Sequence, residues 1–234
     1  MMTIPKRIAV FGDSILKGIQ IDPQNKRFHV NNHIDYEMIE KKHSLEISNY
    51  SKFGCTVTKG YSSILKRLSN NTLSCDAIIM DFGGNDCDYD WKAISEAPDE
   101  NHLPKTPIDV FTDTYKKIIA QLNENGIRPI LTTLPPLEPQ KFFDFFCDGL
   151  NKEVVLKWLG SVNSIYRAQE HYSRAVEKIA AETNTPIIDI RGAFLAHKRI
   201  DMFICDDGTH PNTEGQKLIS RALMEFTDQL LEAR

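Results

Sequence analysis

The sequence predicts an α/β fold in which helices cover both faces of a parallel sheet of five strands. Short apolar segments alternate with helical segments along almost the whole chain. Several apolar segments end at glycine, proline or polar residues, which is typical of buried parallel strands. No linker or internal repeat interrupts this alternation, so we expect one domain over residues 1–234.

The predicted strands are residues 7–11, 45–50, 75–82, 127–134 and 187–190. The predicted helices are residues 34–42, 62–70, 109–125, 166–182 and 212–233. Asp109 is a candidate N-cap for the third of these helices, and Gly126 is a candidate signal for its end. The polar segments 20–33 and 95–108 contain prolines and are predicted to be loops.

Composition excludes several classes of protein. The chain is 41% hydrophobic and 26% charged, which is an ordinary globular balance. Its net charge of −4 gives no electrostatic reason to expect binding of nucleic acid or anionic membranes. No run of 18 apolar residues is present, so we expect no membrane span.

The cysteines and the first residues predict a cytoplasmic protein. The five cysteines are odd in number, scattered and free of Cys-x-x-Cys spacing, so we interpret them as reduced thiols. The first residues lead directly into the first strand and leave no room for a signal peptide.

Two patterns resemble metal sites, and neither is complete. His29 and His33 have i, i+4 spacing, but their segment is weakly helical and no further ligand has suitable spacing. Asp86, Asp88 and Asp90 alternate like the start of a calcium loop, but no glycine or glutamate follows at the required positions. We therefore expect no metal and no organic cofactor.

Three predicted turns place chemically useful groups at one edge of the sheet, because the carboxyl ends of parallel strands meet there. Ser14 follows the first strand, Gly54 follows the second, and Asn85 follows the glycine pair after the third. Glycine, serine and asparagine are also ordinary turn residues, so a structural role is the alternative for each one taken alone.

The loop before the last helix adds a candidate base. Asp207 and His210 are three residues apart, which lets the carboxylate reach the imidazole in a tight turn. Serine catalysis needs a base for the hydroxyl proton, a carboxylate that orients the base, and donors for the developing oxyanion. A helix-capping loop with a surface histidine is the structural alternative.

Four blocks of this sequence resemble those of the SGNH (GDSL) hydrolases: Gly12-Asp13-Ser14, Gly54, Gly83-Gly84-Asn85-Asp86 and Asp207-Gly-Thr-His210. They occur in the family's order and span nearly the whole chain. Ile15 stands where the family's name-giving motif has leucine. The resemblance implies a flavodoxin-like, three-layer α/β/α sandwich with a five-stranded parallel sheet.

The resemblance also implies residue roles. Ser14 would be the nucleophile, His210 the general base and then the general acid, and Asp207 the residue that orients His210. Asp206 is a rival partner whose spacing does not match the family's motif. The oxyanion hole would consist of the backbone N–H groups of Ser14 and Gly54 and the side-chain amide of Asn85.

These roles predict an esterase or lipase-type acylhydrolase that cleaves O-acyl esters through an acyl-enzyme. The expected substrate is a small-molecule ester with a short acyl or acetyl group, on a carbohydrate or lysophospholipid-like alcohol. An acyltransferase with the same triad and a non-catalytic flavodoxin-like binding module are alternatives. Chain length, alcohol and oligomeric state stay open.

An aromatic-rich segment follows the fourth predicted strand. Its apolar residues are Phe142, Phe143, Phe145, Phe146, Leu150, Leu156, Trp158 and Leu159. Core packing or a dimer contact explains such a segment most simply. The alternative is a wall or lid for an apolar part of the substrate.

Overall fold

A parallel sheet of five strands forms the centre of the computed structural model, which describes residues 5–232. In chain order the strands are β1 (Arg7–Gly12), β2 (Ile19–Ile21), β3 (Phe28–Val30), β4 (Glu46–Asn49), β5 (Ala77–Asp81), β6 (Arg128–Thr132) and β7 (Ile187–Ile188). The central sheet has the order β4-β1-β5-β6-β7, and β2 and β3 form a separate antiparallel hairpin.

Helices cover both faces of this sheet. They are α1 (Tyr36–His43), α2 (Val57–Ser69), α3 (Trp91–Glu96), α4 (Ile108–Glu124), α5 (Pro139–Phe146), α6 (Lys152–Leu159), α7 (Asn163–Thr183), α8 (Ile190–Leu195) and α9 (Thr213–Glu232). Helices α2, α4 and α7 share one apolar core with the sheet, and α1, α8 and α9 share the other. The predicted three-layer α/β/α fold is confirmed.

The two cores follow from the alternation of side chains along the strands. In β5, Ile78 and Met80 belong to one core, whereas Ala77 and Ile79 belong to the other. Every residue of β5 is buried. A strand covered on both faces needs apolar residues throughout, which is why the sequence reveals it so clearly.

The chain order places a crevice between β1 and β5. After β1 the chain goes to β4 on one side and then to β5 on the other, and the connecting helices α1 and α2 pack on opposite faces. Open α/β sheets bind ligands at such a reversal of strand order. Ser14 and Asn85 follow the two strands that border it.

The prediction of a loop at 20–33 is wrong, because β2 and β3 pair within it. The Asp22 carboxylate accepts hydrogen bonds from the backbone N–H groups of Gln24 and Asn25, which close the hairpin turn between the two strands. Each strand has only three residues, which is too short for a recognisable alternation.

Several helix boundaries also differ from the predictions. Helix α2 begins at Val57 rather than at residue 62, and α8 begins at Ile190, where the fifth strand was expected to end. Asp109 is not the N-cap of α4: Pro107 has that position, and Asp109 lies in the first turn. Part of the expected loop 95–108 is the end of α3. The predicted end of the last helix at residue 233 lies outside the described residues.

The aromatic segment folds into α5 and α6 and forms a third apolar core with α3 and α7. Its buried members include Phe142, Phe143 and Val155. Core packing therefore accounts for much of this segment. Within residues 5–232, no helix combines the length and the apolar character that crossing a bilayer would require.

Candidate active site

A cavity of about 330 Å³ lies at the carboxyl ends of β1 and β5. Ser14, Gly54, Asn85 and His210, which come from four separate turns, all line it. The structure therefore brings together residues that lie up to 196 positions apart in the sequence.

Ser14, His210 and Asp207 form one hydrogen-bonded chain. The Ser14 Oγ atom lies 2.8 Å from His210 Nε2, and His210 Nδ1 lies 2.5 Å from Asp207 Oδ2. The three residues are buried, with exposures of 6%, 4% and 0% in the order Ser14, His210, Asp207. In this arrangement the imidazole can take a proton from the serine while the carboxylate holds its ring orientation.

The loop conformation explains why Asp207 reaches the imidazole and Asp206 does not. Asp207 Oδ1 accepts hydrogen bonds from the backbone N–H groups of Thr209 and His210, both at 3.1 Å. The same carboxylate thus closes the turn with one oxygen and orients the histidine with the other. The neighbouring Asp206 is exposed to solvent.

Gly208 allows this turn to form. Its φ of +75° lies in the left-handed region, and a Cβ atom there would collide with the backbone of Phe142 and Glu138. The Glu138 N–H donates to the Gly208 carbonyl at 2.8 Å, which ties the loop to the start of α5. A side chain at position 208 would therefore displace the base and its partner together.

The opposite side of the cavity carries the three predicted oxyanion donors. Gly54 has a φ of +68°, and it lines the cavity together with Ser14 and Asn85. Within residues 5–232, no acceptor is found for the backbone N–H of Ser14 or of Gly54. Two free N–H groups beside a side-chain amide can stabilise a negative oxygen.

Asp13, which the sequence did not mark as functional, orients Asn85. Its Oδ2 accepts a hydrogen bond of 2.8 Å from Asn85 Nδ2, and its Oδ1 accepts one of 2.8 Å from the Ile15 N–H. This contact turns the NH₂ end of the Asn85 amide toward Asp13. The second amide hydrogen stays available.

Asp13 shares its buried environment with Asp81 at the end of β5. Burial, followed by the charge of Asp81, raises the pKa of Asp13 to about 8. Burial also raises the pKa of Asp81 to about 6, although a hydrogen bond from Thr132 opposes this. The two carboxyl groups therefore retain a proton at neutral pH, because two adjacent buried charges would be too costly.

Asp86 joins the Asn85 turn to the Gly54 turn. Its two carboxylate oxygens lie 3.0 and 3.1 Å from the backbone N–H of Val57, the first residue of α2. An anion at a helix N-terminus satisfies free N–H groups and the positive end of the helix dipole. This contact lets α2 begin earlier than predicted and holds the two turns of the oxyanion side together.

Two aromatic residues beside His210 were also missed by the sequence analysis. The ring centroids of Phe28 and Phe53 lie 5.2 and 6.1 Å from that of His210. Phe28 is 37% exposed and Phe53 is 52% exposed, so they form an open apolar rim. No sequence signal pointed to Phe28, because its role depends on the hairpin that brings it there.

Asp86, Asp88 and Asp90, the three alternating aspartates of the sequence, have separate structural roles. Asp88 accepts hydrogen bonds from Trp91 Nε1 and Lys105 Nζ, and Asp90 caps α3 through the Ala93 N–H. Within residues 5–232, no group of three or more His, Cys, Asp or Glu residues is arranged to hold a metal ion. His29 lies in β3 rather than on a helix.

Similarity to a known protein family extends over nearly the whole chain. The family model described as GDSL-like Lipase/Acylhydrolase matches residues 8–223. No match was found among curated proteins.

Solved structures of similar fold include three enzymes. A lipase/acylhydrolase from Enterococcus faecalis is 17% identical, with a TM-score of 0.64 and coverage of 96% of both chains. A catalytic mutant of an acetylxylan esterase from Geobacillus stearothermophilus is 18% identical, with a TM-score of 0.66 over 95% of this chain and 94% of the other. The α/β hydrolase LAE5 from the Lake Arreo metagenome is 19% identical, with a TM-score of 0.65 over 96% of each chain.

Proposed function

This chain belongs to the GDSL-like lipase/acylhydrolase family and is a hydrolase of ester bonds, and we propose that it acts through an acyl-enzyme on Ser14. The observation that carries the proposal is the buried hydrogen-bonded chain from Ser14 Oγ through His210 to Asp207. A serine hydroxyl is a weak nucleophile at neutral pH and needs an adjacent base of this kind.

In the proposed first step, Ser14 Oγ attacks the ester carbonyl carbon while His210 Nε2 takes the hydroxyl proton. The carbonyl oxygen becomes negative and is held by the N–H groups of Ser14 and Gly54 and by the amide of Asn85. The C–O bond to the alcohol then breaks, and His210 returns the proton to the departing oxygen. Asp207 stabilises the imidazolium that forms between these events.

The second step releases the acid. A water molecule attacks the acyl carbon of the Ser14 ester, and His210 takes a proton from it. The same oxyanion donors hold the second tetrahedral intermediate. Its collapse breaks the bond to Ser14 Oγ and returns the proton to the serine, which restores the resting enzyme.

We propose small O-acyl esters with short acyl groups as substrates, on a carbohydrate or lysophospholipid-like alcohol. The similarity in fold to an acetylxylan esterase supports the carbohydrate candidate. The half-exposed rings of Phe28 and Phe53 at the rim of the cavity suit the apolar face of a sugar ring or a lipid. We further propose one catalytic domain over residues 1–234 and a cytoplasmic location, which the five free cysteines support.

The direct test is to change Ser14→Ala and measure hydrolysis of p-nitrophenyl acetate together with labelling by a fluorophosphonate. We expect loss of both, with an unchanged circular dichroism spectrum. Ser51→Ala is the matched control, because Ser51 is also buried and follows the neighbouring strand β4. Near wild-type turnover by Ser14→Ala would contradict the mechanism.

The same acyl-enzyme can pass its acyl group to an alcohol instead of water. Product analysis with an added sugar or alcohol acceptor distinguishes a hydrolase from an acyltransferase. We expect free acid as the main product, and a dominant transfer product would reassign the enzyme.

A further inference from the structure

A second cavity, of about 200 Å³, adjoins the catalytic cavity. The two cavities share five lining residues: Gly84, Asp88, Phe142, Gln169 and Thr209. Gly84 and Thr209 are the immediate chain neighbours of Asn85 and His210. The second cavity therefore begins where a substituent of the reacting carbonyl would leave the catalytic cavity.

The walls of the second cavity are largely aromatic and aliphatic. They come from the aromatic segment and from α3 and α7, and include Trp91, Leu137, Phe142, Trp158, Leu159 and Ile165. Aromatic rings pack against each other in this wall. The ring centroids of Trp158 and Tyr89 lie 5.2 Å apart in an edge-on arrangement, and those of Trp91 and Phe142 lie 6.0 Å apart. Such pairs form a preorganised apolar surface.

Three polar side chains in these walls, Gln169, Asp88 and Ser164, already have hydrogen-bond partners within the protein. Gln169 Nε2 donates to the Pro135 carbonyl at 2.6 Å, and its Oε1 accepts from Arg191 at 2.8 Å. Asp88 accepts from Lys105 and from the Trp91 indole N–H, and Ser164 donates to the Leu159 carbonyl. The cavity therefore offers a ligand mainly apolar contact, and a polar ligand would lose its hydrogen bonds to water there.

We propose that this second cavity binds the acyl chain of the substrate, so that among short acyl groups the enzyme prefers apolar ones of about six to eight carbons to acetyl. The proposal rests on the proposed function, and it names the acyl specificity of that site. An apolar protein cavity of roughly 150 Å³ holds one benzene molecule, so about 200 Å³ holds one ring with two further carbons, or a chain of similar volume.

The order of events favours the acyl chain over the alcohol as the occupant. The acyl group stays on Ser14 until water attacks, so a cavity that adjoins the catalytic cavity can hold its chain through both steps. The alcohol must leave after His210 gives it a proton. The exposed rim of Phe28 and Phe53 lies beside that histidine and offers an open path.

The test is a series of p-nitrophenyl esters from acetate to dodecanoate. We expect kcat/KM to rise by up to about fourfold for each buried methylene, to a maximum at six to eight carbons, and then to fall. Octanoate should exceed acetate by at least tenfold. A parallel series of acetate esters, from methyl to octyl acetate, measures the preference for the alcohol.

Two variants should shift the preference in opposite directions. Ala168 lines the second cavity, and Ala168→Phe should fill it and lower the octanoate-to-acetate ratio of kcat/KM at least tenfold. Trp158→Ala should enlarge the cavity and move the maximum to longer chains. Ala181→Phe is the matched control, because Ala181 is an exposed residue on the same helix, α7. It should leave the profile unchanged.

The results separate this proposal from the catalytic one. Ser14-dependent hydrolysis with a preference for acetate, unaltered in both variants, would overturn the acyl cavity and leave the mechanism intact. Sensitivity of the alcohol series to Ala168→Phe, with an unaltered acyl series, would overturn the choice of occupant. Absence of both hydrolysis and fluorophosphonate labelling would overturn the proposed function itself.

Discussion

Changing Asp81→Asn should stabilise the protein at pH 8, although it replaces a buried acidic side chain that lines the catalytic cavity. The carboxyl groups of Asp13 and Asp81 lie in one buried environment, and the charge of Asp81 helps to raise the pKa of Asp13. Asp81 Oδ1 accepts a hydrogen bond of 2.8 Å from Thr132 Oγ1, and Oδ2 has no partner within residues 5–232. Asparagine preserves the size and the acceptor and removes the charge.

The direction in which stability changes with pH follows from the protons bound by the folded and unfolded chain. Burial raises the pKa of Asp81 from 3.8 to about 6, so between these values the folded protein holds a proton that the unfolded chain releases. Stability therefore falls as pH rises through this interval. At about 1.4 kcal/mol per pKa unit, ionisation of Asp81 costs about 3 kcal/mol above pH 6. Because the pKa of Asp13 is raised to about 8, its ionisation extends the loss of stability toward pH 8.

Asp81→Asn removes this cost and also one cause of the raised pKa of Asp13. The free energy of unfolding should exceed that of the wild type by about 1–3 kcal/mol at pH 8, and the difference should shrink toward pH 4. Urea denaturation at pH 4, 6 and 8 measures it. Asp99→Asn is the control, because Asp99 is exposed in a loop. A variant less stable than the wild type at pH 8, or a difference independent of pH, would refute the reasoning.

Two further predictions concern catalysis. Asn85→Ala should lower kcat by about 10²–10³ on p-nitrophenyl acetate, as expected for loss of one oxyanion donor, and an unchanged rate would remove Asn85 from that role. Asp207→Asn should lower kcat by about 10⁴, because the amide can leave His210 in the wrong tautomer. Steady-state kinetics near neutral pH, with thermal melting to verify folding, measures both; a loss below tenfold for Asp207→Asn would argue against its orienting role.

Strands and helices that are stabilised by their own residues could be predicted from the sequence, whereas those that depend on contacts with distant residues could not. Strands β1, β5 and β6 were predicted near their observed positions because burial on both faces favours apolar residues along most of their length, as in β5. The hairpin of β2 and β3 was missed because its three-residue strands are stabilised by distant contacts, such as that of Phe28 with Phe145. Local composition at 20–33 resembles a loop, and only tertiary packing makes it a hairpin.

The sequence alone determined the candidate site residues and their order, because Ser14, Gly54, Asn85, Asp207 and His210 lie in turns with recognisable spacing. It also determined the fold class through apolar patterning.

Only the tertiary structure decided how these residues are supported. The interaction of Asp13 with Asp81, 68 positions away, exists because β1 and β5 are neighbours in the sheet. Asp86 likewise reaches the first residue of α2, 29 positions away, only through tertiary packing. The cavity that adjoins the candidate active site is lined by side chains from several elements, and its volume depends on their packing rather than on any local pattern.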